Sequence, residues 1–114
     1  MNLKDISEAI QGDILYTSKD LMKDYSYAFA SDLMSDVLTV KQSNMLLITG
    51  LINVQAIRTA EMSDIRCIIF VRNKKVSEGM IALAQETGIS LIHSSFTMFK
   101  TCGLLFTAGL KPVY

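Results

Sequence analysis

Four short clusters of polar residues in this sequence have the side chains to bind a small molecule. They offer a cation at Arg72, an imidazole at His93, several hydroxyls and at least two uncapped helix N-termini. This combination suits a small anion or a nucleotide, whereas ordinary helix capping and loop polarity are the simpler explanation. The candidate ligand-binding residues are Ser31, Asp32, Thr49, Gly50, Asn53, Arg72, Asn73, His93, Ser94 and Ser95.

An acid/base set is the second chemical hypothesis. Asp32 and Asp36 are four residues apart and are expected on one face of a short helix, so that with His93 they would make the chain a small enzyme. The sequence identifies no orienting partner for His93, and a solvated helix face and a loop histidine explain these residues more simply. We therefore predict no catalytic residue, no metal site and no enzymatic activity.

Cofactor motifs are absent from the sequence. Gly50 stands without the further glycines of a dinucleotide-binding or Walker loop, and Leu51 and Ile52 follow it. Cys67 and Cys102 lie far apart without CxxC spacing, which favours buried, inert thiols. We predict no cofactor.

Composition limits the class of protein. A chain of 114 residues that is 50% hydrophobic fits a single domain with one core. Eleven basic and eleven acidic side chains cancel, so a nucleic-acid partner is not expected. No apolar run is long enough for a membrane span and the N-terminus lacks a signal-peptide core, which predicts no membrane partner and a cytoplasmic location.

The elements that position the clusters centre on residues 45–73, which read as a buried strand, a turn at Gly50, an amphipathic helix and a second buried strand. Strands are predicted at 13–16, 24–30, 45–48, 67–71 and 89–92, and 17–23 is polar and ambiguous. Helices are predicted to begin at caps Asn2, Ser31, Asn53, Ser77 and Ser94 or Ser95. Gly12, Gly88 and Gly109 are predicted to end helices. Strands alternating with helices predict an α/β fold: one domain with a mostly parallel sheet flanked by helices.

The apolar pattern predicts which side chains are buried. The inward-facing helix residues are predicted to be Leu33, Met34, Val37, Leu38, Val54, Ile57 and Ala60, with Thr59 facing water. Phe96, Phe99 and Phe106 are predicted to form a core or interface stripe on the last helix. Small residues alternate with aromatics along 24–30, leaving a face that a helix or a second subunit could approach; we predict a homodimer.

The chain resembles the small DRTGG-domain proteins, and more distantly the N-terminal domain of HPr kinase/phosphorylase. The resemblance spans nearly the whole chain and is clearest at 30–38, at 48–62 and at 95–110. It implies a single DRTGG-like α/β domain over 1–114, similar in fold to the kinase N-terminal domain, and is closest to stand-alone bacterial members. The signature itself is absent, because Leu51-Ile52-Asn53 and Val71-Arg72-Asn73 stand in its two places.

The resemblance implies a non-catalytic regulatory or oligomerisation module. With the polar strand ends, it predicts a module that senses a small anionic ligand or nucleotide at the carboxyl edge of the sheet. Some family members are encoded near iron-only hydrogenase genes, so a partner-binding accessory subunit of a redox system of the hydrogenase type is the alternative. Other members are fused to phosphotransacetylase or to nucleotide-sensing pyrophosphatase regions, which fits an accessory role.

Overall fold

The computed structural model of the protein describes residues 1–19 and 22–114; the ambiguous stretch 17–23 thus lies partly outside the described residues. The strands are β1 (Asp13–Tyr16), β2 (Tyr27–Ala30), β3 (Met45–Thr49), β4 (Cys67–Phe70), β5 (Ser90–His93) and β6 (Lys111–Pro112). They form one sheet in the order β1-β5-β4-β3-β2-β6. Every neighbouring pair is parallel except β1 with β5. The predicted mostly parallel sheet is confirmed.

Helices cover both faces of this sheet. They are α1 (Leu3–Ile10), α2 (Met34–Val37), α3 (Val54–Met62), α4 (Glu78–Thr87) and α5 (Met98–Ala108). On one face α2, α3 and α4 contribute Met34, Ile57 and Leu83 to the core. On the other face α1 and α5 contribute Ile6 and Leu105. The predicted α/β architecture, with helices flanking the sheet, is confirmed. None of the helices in the described ranges has the length and apolar character to span a membrane.

The two central strands carry the core. Every residue of β3 and β4 is buried, as expected for parallel strands covered on both faces. Because side chains alternate along a strand, Leu47 packs toward α3 while Leu46 and Ile48 pack toward α1 and α5. The apolar runs in the sequence therefore predicted these strands correctly.

The N-terminal helix is capped as predicted, but its end differs. The Asn2 side chain accepts a hydrogen bond from the Asp5 N–H, and the Asn2 N–H donates one to the Asp5 carboxylate. At its C-terminus the left-handed residue is Gln11, with φ of 51°, rather than Gly12. Gly12 is instead required for close packing, since a Cβ there would lie 2.8 Å from the His93 carbonyl oxygen.

Helix α2 is shorter than predicted, because it begins at Met34 and not after a Ser31 cap. Leu33 occupies the cap position without a side-chain hydrogen bond, and the Ser31 hydroxyl accepts from the Leu33 N–H at 3.0 Å. The Asp32 carboxylate accepts from the Gly50 N–H, which keeps the chain extended up to Leu33. Asp32 therefore lies outside the helix that carries Asp36. With one turn of helix only Met34 and Val37 reach the core, and the prediction that Leu33 and Leu38 are buried is wrong.

Helix α3 buries a wider arc than predicted. Asn53 caps it and Ile57 and Ala60 face the core as expected, but Thr59 is buried and Val54 is exposed. Because α3 packs between α2 and α4, a residue beside the sheet-facing stripe is also covered. This explains Thr59, while Val54 is the first residue of the helix and remains open to solvent.

The last helix begins later than predicted. Its cap is Thr97, whose hydroxyl accepts from the Lys100 N–H, and neither Ser94 nor Ser95 caps it. The helix faces the core with Thr101 and Leu105, so that Phe99 and Phe106 are exposed, and they are not core residues. Gly109 ends the helix as predicted, and the short strand β6, which the sequence reading missed, then pairs with β2.

Candidate functional site

The carboxyl ends of β2, β3 and β4 lie side by side. Ala30 pairs with Ile48 and Thr49 pairs with Phe70, so the residues that follow these strands meet at one edge. Asp32, Gly50 and Arg72 come from three different loops and make direct contacts there. We call this group the Asp32–Gly50–Arg72 site. The sequence predicted that the loops after β3, β4 and β5 share one edge. The parallel register of these strands agrees with that expectation, and the pairing of β2 with β3 adds the Asp32 loop.

Asp32 ties the end of β2 to the end of β3. One oxygen of its carboxylate accepts hydrogen bonds from the Gly50 N–H at 2.6 Å and from the Thr49 hydroxyl at 3.2 Å. The Thr49 hydroxyl also accepts from the Leu51 N–H at 3.1 Å, which holds the turn. The Asp32 side chain remains 51% exposed, so the same carboxylate stays open to solvent.

Arg72 lies directly against Gly50. Its Nη2 donates to the Gly50 carbonyl at 3.1 Å and is 3.8 Å from the Asp32 carboxylate. A Cβ at position 50 would be 2.6 Å from that nitrogen, so this approach of the guanidinium requires glycine.

The backbone around Arg72 is held in an uncommon conformation. Arg72 and Asn73 both have left-handed φ angles, of 71° and 56°. Their N–H groups donate to the carbonyls of Phe96 at 2.7 Å and Ser94 at 3.0 Å. The loop after β5 therefore fixes the loop after β4. Non-glycine residues keep such a conformation only where surrounding contacts hold them in it. They are found often at ligand-binding sites.

Lys100 is a second cation of this region that the sequence analysis missed. Its ammonium nitrogen lies 3.8 Å from the centre of the Phe96 ring, and the Phe96 carbonyl receives the Arg72 N–H. Lys100 follows Phe96 by four residues. This spacing would have indicated the contact only with the knowledge that Phe96 precedes the helix, and the sequence placed Phe96 inside it.

His93 is not part of this group. It ends β5, opposite Asp13 of β1, and its Nδ1 is 3.7 Å from the Asp13 carboxylate. Strands β4 and β3 lie between β5 and β2, which separates His93 from the Asp32 loop by three strand spacings, or about 14 Å. The catalytic set of His93 with Asp32 and Asp36 is therefore not brought together.

Asn53 and Ser94, two further candidates, have structural partners. Asn53 accepts from the Ala56 N–H, and Ser77 and Thr97 cap α4 and α5 in the same way, so the expectation of uncapped N-termini at these helices is wrong. Ser94 is fully buried and its hydroxyl is 2.9 Å from that of Thr101. Ser95 is exposed. Of the ten candidates, Asp32, Gly50 and Arg72 form a site with solvent-exposed charged groups.

Neither cysteine has the character of a reactive thiol. Cys67 is fully buried in β4, and burial raises its pKa from 9.0 to about 12. Partial burial also raises the pKa of Cys102 on α5. Both thiols are protonated at neutral pH, which agrees with the interpretation of inert thiols; Cys67 is buried as expected, whereas Cys102 is only partly buried.

Comparison with known proteins gives a likeness among the solved structures. No family model matches the chain, and no curated protein matches it. Among solved structures it is similar to the CBS and DRTGG domains of the regulatory region of Clostridium perfringens pyrophosphatase, complexed with the activator diadenosine tetraphosphate. The TM-score is 0.76 at 13% sequence identity, and the match covers 91% of this chain and 45% of that one.

This likeness shows the fold. The chain spans less than half of the length of the neighbour, which is a regulatory region that binds a nucleotide. A single α/β domain with the sheet and helices described above accounts for the similarity. The earlier resemblance to DRTGG-domain proteins thus has structural support at the level of fold.

Proposed function

We propose that residues 1–114 form a DRTGG-like regulatory domain without catalytic activity, which senses a small anionic ligand at the Asp32–Gly50–Arg72 site. The observation that carries the proposal is the placement of Arg72. Its side chain is 46% exposed and makes one hydrogen bond, to Gly50, among the described residues. A guanidinium has five N–H donors, so several remain for phosphate or carboxylate oxygens.

Asp32 gives the site a way to respond to its ligand. An anion on Arg72 competes with the Asp32 carboxylate, which is only 3.8 Å away and also holds the Gly50 N–H. Binding therefore acts on the connection between the loops after β2 and β3. A change at that connection is a local event that a regulatory domain can transmit to an attached or associated protein.

A nucleotide is the first class of anion to test. The similar pyrophosphatase region binds a nucleotide activator, and here Phe96 places an aromatic ring and the Lys100 ammonium beside the backbone that holds Arg72. Phosphate oxygens can accept hydrogen bonds from the two cations, Arg72 and Lys100, and the Phe96 ring can stack against a base. The proposal includes the predicted homodimer. The partnership with a redox enzyme stays a prediction of the resemblance, since no contact among the described residues favours it.

The test is a thermal-shift screen of nucleotides and phosphorylated metabolites on the wild type, Arg72→Ala and Arg58→Ala. A ligand at 100 times its dissociation constant adds about 2.7 kcal/mol of stability, which is roughly a 10 °C rise in Tm. Arg58 is a matched control, because it is a half-exposed arginine of α3 that pairs with Glu61.

We expect a nucleotide to shift the wild type and Arg58→Ala equally. In Arg72→Ala its dissociation constant should rise roughly ten- to hundredfold, since charged hydrogen bonds are lost. If no anion shifts the wild type, or if Arg72→Ala responds as the wild type does, the proposal is wrong.

A further inference from the structure

The outer face of α5 differs from those of the other long helices. It exposes Phe99 at 89% and Phe106 at 67%. Lys100 is the only charged residue in Met98–Ala108, whereas α3 exposes Arg58 and Glu61. The Lys100 ammonium lies over the ring of Phe96 of the same chain. The exposed residues Phe99, Gly103 and Phe106, which form the stripe of α5, are therefore uncharged, and Lys100 beside them is the one charge of the helix.

Gly103 lies in the middle of this stripe. Phe99 is four residues before it and Phe106 three after it, so the three residues share one face of the helix. A Cβ at Gly103 would meet no atom of the described residues within 4 Å, so none of them requires glycine there. Glycine inside a helix destabilises it relative to alanine. Its benefit here is that another backbone can come close.

The spacing is self-complementary. When two copies of α5 pack antiparallel about a two-fold axis beside Gly103, Phe99 of one copy lies next to Phe106 of the other. The same contact then occurs twice, which is the property of a symmetric dimer interface. Phe99, Gly103 and Phe106 themselves carry no charge, so these residues can meet their symmetry mates without repulsion between them.

The exposed area supplies part of a dimer interface. Taking about 200 Å² for a fully exposed phenylalanine, the two exposed rings of each copy give the pair on the order of 600 Å² of apolar surface. This is about half of a small stable interface, near 1,200 Å². An apolar groove of about 150 Å³ continues the surface beside the helix; its lining includes Ala28, Ala30, Cys102, Leu110 and Pro112.

We propose that this chain dimerises through α5, with the two helices antiparallel and crossing at Gly103. The proposal rests on the homodimer in the proposed function and names its surface. It gives a role to the exposed phenylalanines, which the sequence predicted to be core or interface. It also accounts for a glycine that no contact among the described residues of one copy requires.

The first experiment is sedimentation velocity from about 1 to 200 µM, a range that covers a weak dimer. It compares the wild type with Phe99→Ser/Phe106→Ser and with Gly103→Ala. The matched controls are Met62→Ser, another exposed apolar side chain, and Gly79→Ala, an exposed glycine of α4 whose added Cβ makes only an ordinary contact.

We expect the wild type and both controls to dimerise alike. The double serine variant and Gly103→Ala should each raise the dimer dissociation constant at least roughly tenfold. Circular dichroism should show each variant folded, since all the replaced side chains are exposed. Gly103→Ala should be more stable as a monomer and weaker as a dimer, which general destabilisation does not produce.

The second experiment places cysteines across the proposed axis. Gly103→Cys should form a disulfide-linked dimer under mild oxidation, faster than the wild type and faster than Ala82→Cys on the exposed surface of α4. A dimer that none of these changes affects would overturn the α5 surface and leave the homodimer standing. A wild type that stays monomeric throughout would overturn both, while the nucleotide screen still tests the Arg72 site independently.

Discussion

The buried pair of Ser94 and Thr101 joins the loop after β5 to α5, and its energetic role can be predicted in detail. Both residues are fully buried, and their hydroxyl oxygens are 2.9 Å apart. Ser94 Oγ also accepts from the Phe96 N–H at 3.3 Å. Because the sequence placed Ser94 among the ligand-binding residues, its variants separate a structural role from a binding role.

Removing either hydroxyl leaves a buried polar group without its partner. Thr101→Val keeps the shape of the side chain and is expected to cost about 1–3 kcal/mol, the penalty for an unsatisfied buried group. Ser94→Ala should cost at least as much, since it also deprives the Phe96 N–H of its acceptor. In the double variant the two hydroxyls are gone together, so its cost should fall short of the sum by about 1 kcal/mol or more.

The assay is urea unfolding followed by far-UV circular dichroism, with Ser95→Ala as the exposed neighbouring control. Each kcal/mol corresponds to roughly 4 °C in Tm for a chain of this size, and Ser95→Ala should change stability by less than about 0.5 kcal/mol. Additive single costs would refute the coupling between the hydroxyls. A folded Ser94→Ala that no longer responds to a ligand shifting the wild type would refute the structural role.

Two further predictions concern the glycine of the site and the buried thiol. Gly50→Ala should displace the Arg72 guanidinium, because the new Cβ would lie 2.6 Å from Nη2. The arginine side chain is flexible and can move, so stability should change little while ligand affinity falls as in Arg72→Ala. Retained affinity in isothermal titration calorimetry would contradict this prediction. Burial raises the pKa of Cys67 from 9.0 to about 12, so the thiol ionises more easily in the unfolded chain than in the folded one. The contribution of the buried thiol to stability is therefore fully present below pH 9. It is lost between pH 9 and 12 by up to about 1.4 kcal/mol per pH unit. Unfolding measured from pH 8 to 11 should show this slope in the wild type and a smaller one in Cys67→Ala; equal slopes would mean that the thiol does not contribute.

Local patterns in the sequence determined most of the architecture. The unbroken apolar runs at β3 and β4 predicted strands covered on both faces, and Ser77 and Gly88 marked both ends of α4. These signals succeed because the period of a strand, a cap and a left-handed glycine each depend on a few neighbouring residues. The alternation of strands and helices then predicted the parallel sheet.

Ser31, Ser94 and the stripe of α5 show where local patterns fail. The sequence at Ser31 is typical of a helix cap, but the hydrogen bond from the Gly50 N–H to the Asp32 carboxylate holds Asp32 outside the helix. Ser94 has a similar pattern, but it is buried against Thr101. Phe99 and Phe106 have the spacing of a core face, but α5 faces the sheet with its other side.

The sequence by itself thus determined that this is a single α/β domain and that polar loops follow its strands. Only the tertiary structure decided that Asp32, Gly50 and Arg72 meet and that His93 lies elsewhere. The physical reason is strand order: these residues are far apart in the chain, and only the pairing of β2 with β3 and of β3 with β4 brings their loops together. Hydrogen bonds across those loops then outweigh the local preferences of each residue.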